Sequence, residues 1–353
     1  MAAPFGRRAL AGMAGLALGC AATTPSPPPA QETLVVLNAG DATLTLLPLS
    51  AGGVPQTIPL GSIGGIPRAL AVRDSQGVIT TSGDAIARVG FTVGQSPLVY
   101  HVATGAGTSG AAFVNDSIAY IANPRVDRAT RFNFRTGDTA SVPTGHTPTA
   151  VAVTRGRVFI ANANLELACA GPAPCVKGPS WLTVIDPDRN VVIDSIPLDG
   201  PGNASAIEIG GDGLLYVISA GAGGSESGRL SIVDPILRAD VGSFGGFGPL
   251  PSDLATDRRE RMFVTSLSAG LMEFNTRTRR VVRGASAAIP LEFGTAVAVD
   301  DEGLVYAIES GLCTGSAAGR IRIFRPDLTE ARIVPAGVCP VDAVIVKLPP
   351  PPS

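Results

Sequence analysis

Asp253 and Asp342 are the residues in this chain whose chemistry would matter most if the fold brought them together. Two neighbouring carboxylates can hold a divalent cation, or divide the roles of acid and base between them. Arg68 and Glu292 would join them if all four stood at the mouth of one channel. The same carboxylates could instead do no more than solvate a rim. The chain has only two histidines, His101 and His146, far apart in sequence, so a multi-histidine metal site is excluded by number. No Ser-His-acid set is legible, although His146 stays available to one. Neither glycine-rich stretch leads from a strand into a helix, so no phosphate cradle is indicated. No cofactor or metal is expected.

The elements that would position these residues follow from composition. The 353 residues are 45% hydrophobic and only 16% charged, with 43 Gly and 30 Pro. That profile suits many short strands joined by turns better than helices. The formal charge is -2, and no Lys/Arg-rich run offers a nucleic-acid backbone an electrostatic reason to bind.

The first residues read as an export signal. Arg7 and Arg8 give a positive start, and Ala9 to Gly19 form an apolar run too short to span a bilayer. The run ends at Ala17-Leu18-Gly19-Cys20, which resembles the lipobox of bacterial lipoproteins, with Ala where Leu is usual. The resemblance implies a signal peptide over residues 1–19, cleavage after Gly19 and a lipid on Cys20. Residues 20–31 form a Pro-rich tether. Three consecutive prolines within residues 23–31 favour an extended chain at about 3.1 Å per residue, so those nine residues would reach at most roughly 30 Å. Residues 32–347 are expected to form the folded domain and 348–353 a disordered tail.

The folded domain is self-similar. A β-run closing in a small polar residue recurs seven times: Val35-Val36-Leu37-Asn38, Ile79-Thr80-Thr81-Ser82, Tyr120-Ile121-Ala122-Asn123, Phe159-Ile160-Ala161-Asn162, Tyr216-Val217-Ile218-Ser219, Phe263-Val264-Thr265-Ser266 and Ala307-Ile308-Glu309-Ser310. An Ala-rich strand precedes most copies, as at Ala69-Leu70-Ala71-Val72 and Ala150-Val151-Ala152-Val153, with a hairpin signal such as Asp300-Asp301-Glu302-Gly303 between. A third strand often ends in Asp-Pro (Asp186-Pro187, Asp234-Pro235), and a more polar fourth follows. Four antiparallel strands repeated in this way describe a propeller blade. The inner strand is Ala-rich because blades converge on a narrow axis. The expected fold is an all-β, seven-bladed β-propeller. Residues 31–60 supply strands B, C and D of a blade without an A, and Val341-Asp342-Ala343-Val344-Ile345-Val346 is an A strand without a B. The C-terminal strand should therefore close the first blade.

The pattern resembles the YVTN family of bacterial seven-bladed propellers, most closely at Val36-Leu37-Asn38-Ala39-Gly40-Asp41-Ala42-Thr43-Leu44-Thr45-Leu46, and more loosely the NHL-type propellers. The resemblance implies the fold strongly and an activity weakly.

The long insertions, 163–180, 220–228 and 311–319, all fall in B–C loops and so on one face, where binding usually resides. Arg125, Glu166, Lys177, Trp181 and Glu226 are candidate contact residues there; Trp181 is equally suited to packing between blades 4 and 5. Four cysteines remain besides Cys20, and three pairings are open to them; topology favours Cys169–Cys175 and Cys313–Cys339. The tether enters strand B at the A–B face, so the long loops should point away from the membrane. The functional expectation is a monomeric, lipid-anchored scaffold, periplasmic or on the cell surface. It would bind an envelope protein, peptide or glycan through its loop face. The alternative is a lactonase-like hydrolase acting at the channel mouth.

Overall fold

A computed structural model describes residues 30–50, 52–168, 175–224 and 227–348. Seven four-stranded antiparallel sheets follow one another, each with its strands in the order A-B-C-D from the axis outward. The seven A strands neighbour each other in one unbroken cycle, blade 7 returning to blade 1. The fold is thus the seven-bladed β-propeller expected.

Blade 1 is closed by the far end of the chain. Strand B, Gln31–Asn38, pairs antiparallel with Pro340–Leu348, with Thr33 opposite Val346 and Leu37 opposite Asp342. In strand B, Leu34, Val35, Val36 and Leu37 are all fully buried. Val35 and Leu37 enter the apolar seam against blade 2, and Leu34 and Val36 the seam against blade 7. A strand covered on both faces needs no polar alternation, which is why it reads as a continuous apolar run. Seven such apolar clusters occur among the described residues, each combining side chains of two neighbouring blades.

Blades 3, 5 and 7 each place one buried tyrosine in strand B, and each phenol finds a partner. Tyr120 donates to Asn190 at 2.7 Å, and Tyr216 and Tyr306 donate to Asp212 and Asp300 at 2.8 Å. Burial pushes the Tyr120 phenol up to about 12 and raises Tyr216 and Tyr306 further. The two aspartates sit in the A–B hairpins, so these bonds tie each hairpin to its own blade.

The register corrects one expectation. The last B residue, opposite the first A residue, is Asn38, Asn162, Ser219 and Ser266 in blades 1, 4, 5 and 6, but Thr81 in blade 2 and Glu309 in blade 7. Ser82 and Ser310 lie one residue beyond the strand. Thr81 keeps the small polar character, whereas Glu309 puts a buried carboxylate there.

Cys313, in the B–C loop of blade 7, is bonded to Cys339, immediately before the closing strand, with Cα atoms 4.8 Å apart and a sequence separation of 26. Cys175 is also disulfide-bonded. Its expected partner Cys169, with Cys20 and the tether to Pro29, lies outside the described residues. A cross-link over 26 residues should stabilise the ring by about 3–4 kcal/mol in the chain-entropy account. Cys313→Ser is expected to lower the denaturation free energy by that amount, measured by urea melts of the oxidised chain, and dithiothreitol should have no further effect on this bridge in the variant.

Candidate functional site

The A strands share one local device. In six blades an extra residue bulges from strand A near its start: Arg68, Thr149, Ser205, Ser252, Thr295 and Val341. Four of these carry hydroxyls, and each donates to the carbonyl that opens the next blade's A strand. Thr149 reaches Ala204 at 2.7 Å, Ser205 reaches Pro251 at 3.2 Å, Ser252 reaches Gly294 at 2.7 Å and Thr295 reaches Pro340 at 2.9 Å. The axis-facing edge of an inner strand has no further strand to pair with, so its backbone groups need such partners.

The residues after the bulge are Ala69, Ala150, Ala206, Asp253, Ala296 and Asp342, and two positions on they are Ala71, Ala152, Glu208, Ala255, Ala298 and Val344. Strand alternation puts both sets on one face. Alanine dominates because the strands crowd at the axis, and three positions depart from it with carboxylates. Asp253 Oδ2 accepts the Val297 N–H of the next blade at 3.0 Å, and Asp342 Oδ2 accepts the Leu70 N–H of the next blade at 2.7 Å. Asp342 Oδ1 also takes the Ala343 N–H at 2.7 Å. Val341 has no hydroxyl to latch blade 1 onto blade 2, and the Asp342 carboxylate makes that connection instead.

All three carboxylates are enclosed by protein while retaining some accessible surface. Burial raises Asp253 well above the usual carboxylate range; the charge of Asp342 raises it further, and the Val297 N–H opposes both. Burial pushes Asp342 up to about 6 and Glu208 up to about 7. The Asp253–Asp342 pair expected from sequence is therefore electrically joined, with Glu208 as a third member that sequence reasoning missed. The available signal was an acidic residue at a register position where the other inner strands hold Ala or Val. Such a set can take up protons close to neutrality. Among the described residues, no group of three or more His, Cys, Asp or Glu is placed to hold a metal ion.

No hydrogen bond or ion pair joins Arg68 or Glu292 to these carboxylates among the described residues. Arg68 is an exposed bulge residue. Glu292 is exposed in the D–A loop before blade 7 and pairs with Arg320 at 2.8 Å. That pair belongs to a network missed from sequence. Buried Glu309 meets Arg320 at 2.8 Å and Arg322 at 3.3 Å, and its Oε1 accepts the Glu292 N–H at 3.1 Å. Asn38 and Asn162 do the equivalent job in blades 1 and 4, accepting the N–H of Gly337 at 3.1 Å and of Gly145 at 2.9 Å. These closing residues hold the D–A connection, at the end of strand D in the case of Gly337, not only the B–C loop as the sequence suggested.

The loop face is pinned by a second repeat. Thr147, Asn203, Leu250, Phe293 and Cys339, each just before an A strand, have φ of 54°, 60°, 51°, 57° and 53°. Each offers its carbonyl to the first N–H after strand B of the same blade, at 2.9–3.1 Å. Non-glycine residues enter this left-handed region at a cost, and the repeated bond holds them there.

Two of the candidate loop-face residues are engaged with each other. Glu166 pairs with Lys177 at 3.1 Å, and His146 Nδ1 with Asp127 at 2.7 Å. The Arg125 stem lies against Gly107. The Trp181 ring packs on Gly145, where a Cβ would come within 2.1 Å of it. Glu226 lies outside the described residues.

No known family model matches this chain, and no curated protein matches it. Solved structures do. Hydrazine synthase of Kuenenia stuttgartiensis aligns with a TM-score of 0.59 at 16% identity, over 80% of this chain and 90% of that one. A streptogramin B lyase aligns at 0.60 and 11% identity, over 89% and 91%. A functionally unknown protein from Desulfotomaculum acetoxidans aligns at 0.65 and 13% identity, over 90% and 99%. At these identities the likeness is one of fold.

A carboxylate raised in the folded state favours folding below its unfolded value, near 4, and withdraws that stability as pH climbs through its folded value. The lowered carboxylates, such as Asp84, Asp186 and Asp327, are fully ionised above pH 5 in both states and contribute no slope there. The ring should therefore melt higher at pH 5 than at pH 8, by at least about 3 °C. Glu208→Gln should narrow that gap by raising the melting temperature at pH 8. An unchanged gap would contradict the assignment.

Proposed function

We propose that this chain is a binding scaffold of the bacterial cell envelope, tethered by a lipid on Cys20, that meets its partner through the long-loop face. The observation that carries the reading is a set of exposed apolar side chains on a stiff frame. Leu312, Ile66, Leu167 and Phe293 are 69%, 62%, 56% and 40% exposed on loops of that face. Phe293 and Leu312 are held close, since Ser310 and Gly311 bond back to Phe293 and Glu292. Apolar groups presented on a preorganised frame bind at small entropic cost, and loops on a rigid scaffold are the usual place for recognition. Strand B of blade 1 begins at the opposite face, which supports an orientation with the loops turned from the membrane.

The lactonase-like alternative would require Asp253 and Asp342 free at an open site, and both are engaged with backbone N–H groups of neighbouring blades. Rings of this shape occur in a streptogramin B lyase and in hydrazine synthase, so the architecture alone does not choose between binding and catalysis.

A strained residue kept for contact should trade stability against binding. Phe293→Asn is expected to raise the melting temperature by about 1–3 °C, because asparagine tolerates the left-handed backbone. The same change should weaken site-specific photo-crosslinking from Leu312 to its partner in intact cells at least fivefold. A crosslinker at Ile236, 68% exposed in the C–D hairpin of blade 5 on the other face, should give no such adduct. Equal adducts from Ile236 and Leu312, or a Leu312 adduct indifferent to Phe293, would remove the basis for the proposal.

A further inference from the structure

The chain contains four glutamines in 353 residues, Gln31, Gln56, Gln76 and Gln95, and all four line one cavity of about 1090 Å³ in the seam between blades 1 and 2. We propose that this groove binds an extended peptide segment of a partner protein. The site opens on the A–B and C–D face, opposite the long loops, and does not depend on the loop-face reading.

The four amides come from separate elements: strand B of blade 1 (Gln31–Asn38), strand D of blade 1 (Gln56–Pro59), strand B of blade 2 (Gln76–Thr81) and the C–D loop of blade 2. One is structural. Gln76 accepts from Arg88 Nη2 at 2.6 Å and Nε at 3.0 Å, and donates to the Asp116 carbonyl at 3.0 Å. That fixes the Arg88 guanidinium in the wall. The side chains of Gln31, Gln56 and Gln95 have no hydrogen-bond partner among the described residues. The floor is the edge of the inter-blade core: Leu46, Val89, Phe91 and Leu348 both line the groove and belong to the apolar cluster of this seam.

A primary amide offers a donor and an acceptor side by side, the pair that a peptide group presents to a neighbouring strand. Three unpartnered amides along an apolar floor can take successive peptide groups while side chains fill the floor, the division of labour seen when extended peptides are recognised. The rim adds Val93 and Leu98, 56% and 57% exposed. Asp74 also faces the groove, with no ion-pair partner among the described residues, and would favour a basic residue at that end. A glycan fits less well, because the one aromatic in the lining, Phe91, is buried and offers no open ring for a sugar to stack on.

The test is selection of a phage-displayed library of random linear dodecapeptides on the purified full chain, followed by affinity measurement for the enriched peptides. Selected sequences should alternate apolar residues, carry one Lys or Arg, and bind the Gln56→Ala/Gln95→Ala variant at least tenfold more weakly. Leu98→Glu, an exposed rim change, should weaken binding to a similar degree. Both variants should melt like the parent, and Leu312→Ser on the loop face should bind the peptides normally. Two results would overturn the proposal: selected peptides that do not distinguish the parent from either groove variant, or chitohexaose binding that is lost in those variants while peptides are unaffected.

Discussion

The pairing of Gln31–Asn38 with Pro340–Leu348 is the constraint on which everything else in this molecule rests. Each blade is an apolar sheet with two faces to cover, and only a closed ring covers them all. Bringing together chain ends some three hundred residues apart costs about 5 kcal/mol in loop closure beyond a constant. Full burial of a Val or Leu side chain returns about 1.5–3 kcal/mol, and strand B of blade 1 buries four of them completely. Burial of those four side chains therefore offsets the closure term, and the Cys313–Cys339 bridge reinforces the corner from which the closing strand departs.

At the axis, crowding and hydrogen bonding make opposing demands. The strands come too close for large side chains, so alanine prevails, yet their inner edges carry backbone groups without a sheet partner. Small hydroxyls on bulges answer both demands in four blades. Asp342 answers them at the junction of blades 1 and 2, where Val341 supplies no hydroxyl. The carboxylates brought in this way are buried, and burial makes them titrate late. Their raised pKa values are thus a consequence of ring construction, which is reason not to read them as catalytic on that ground alone.

The seven blades, the closing strand and the Cys313–Cys339 bridge were legible in the residues because each rests on a repeat or on counting strands around a circle. The Asp253–Asp342 pair was legible for the same reason, since both occupy one position of the repeat. Glu208 escaped because an isolated acid in Ala-Ile-Glu-Ile looks like ordinary strand alternation until the register shows which face it shares. Glu309 escaped because Ser310 next to it satisfied the pattern. The four glutamines escaped because 64 positions separate the first from the last, and only the packing of blade 1 on blade 2 brings them to one wall.

The double substitution Thr33→Cys with Val346→Cys, at positions directly opposed in the closing ladder, tests ring closure most directly. Air oxidation followed by peptide mapping should show the two introduced thiols bonded to each other in nearly all molecules, with a higher melting temperature than the reduced form. A control, Thr33→Cys with Ile345→Cys, is slipped by one residue to the other face of the strand and should remain largely unbonded. Absence of the first bond, or equal formation of both, would mean that the tail does not complete the first blade in this register.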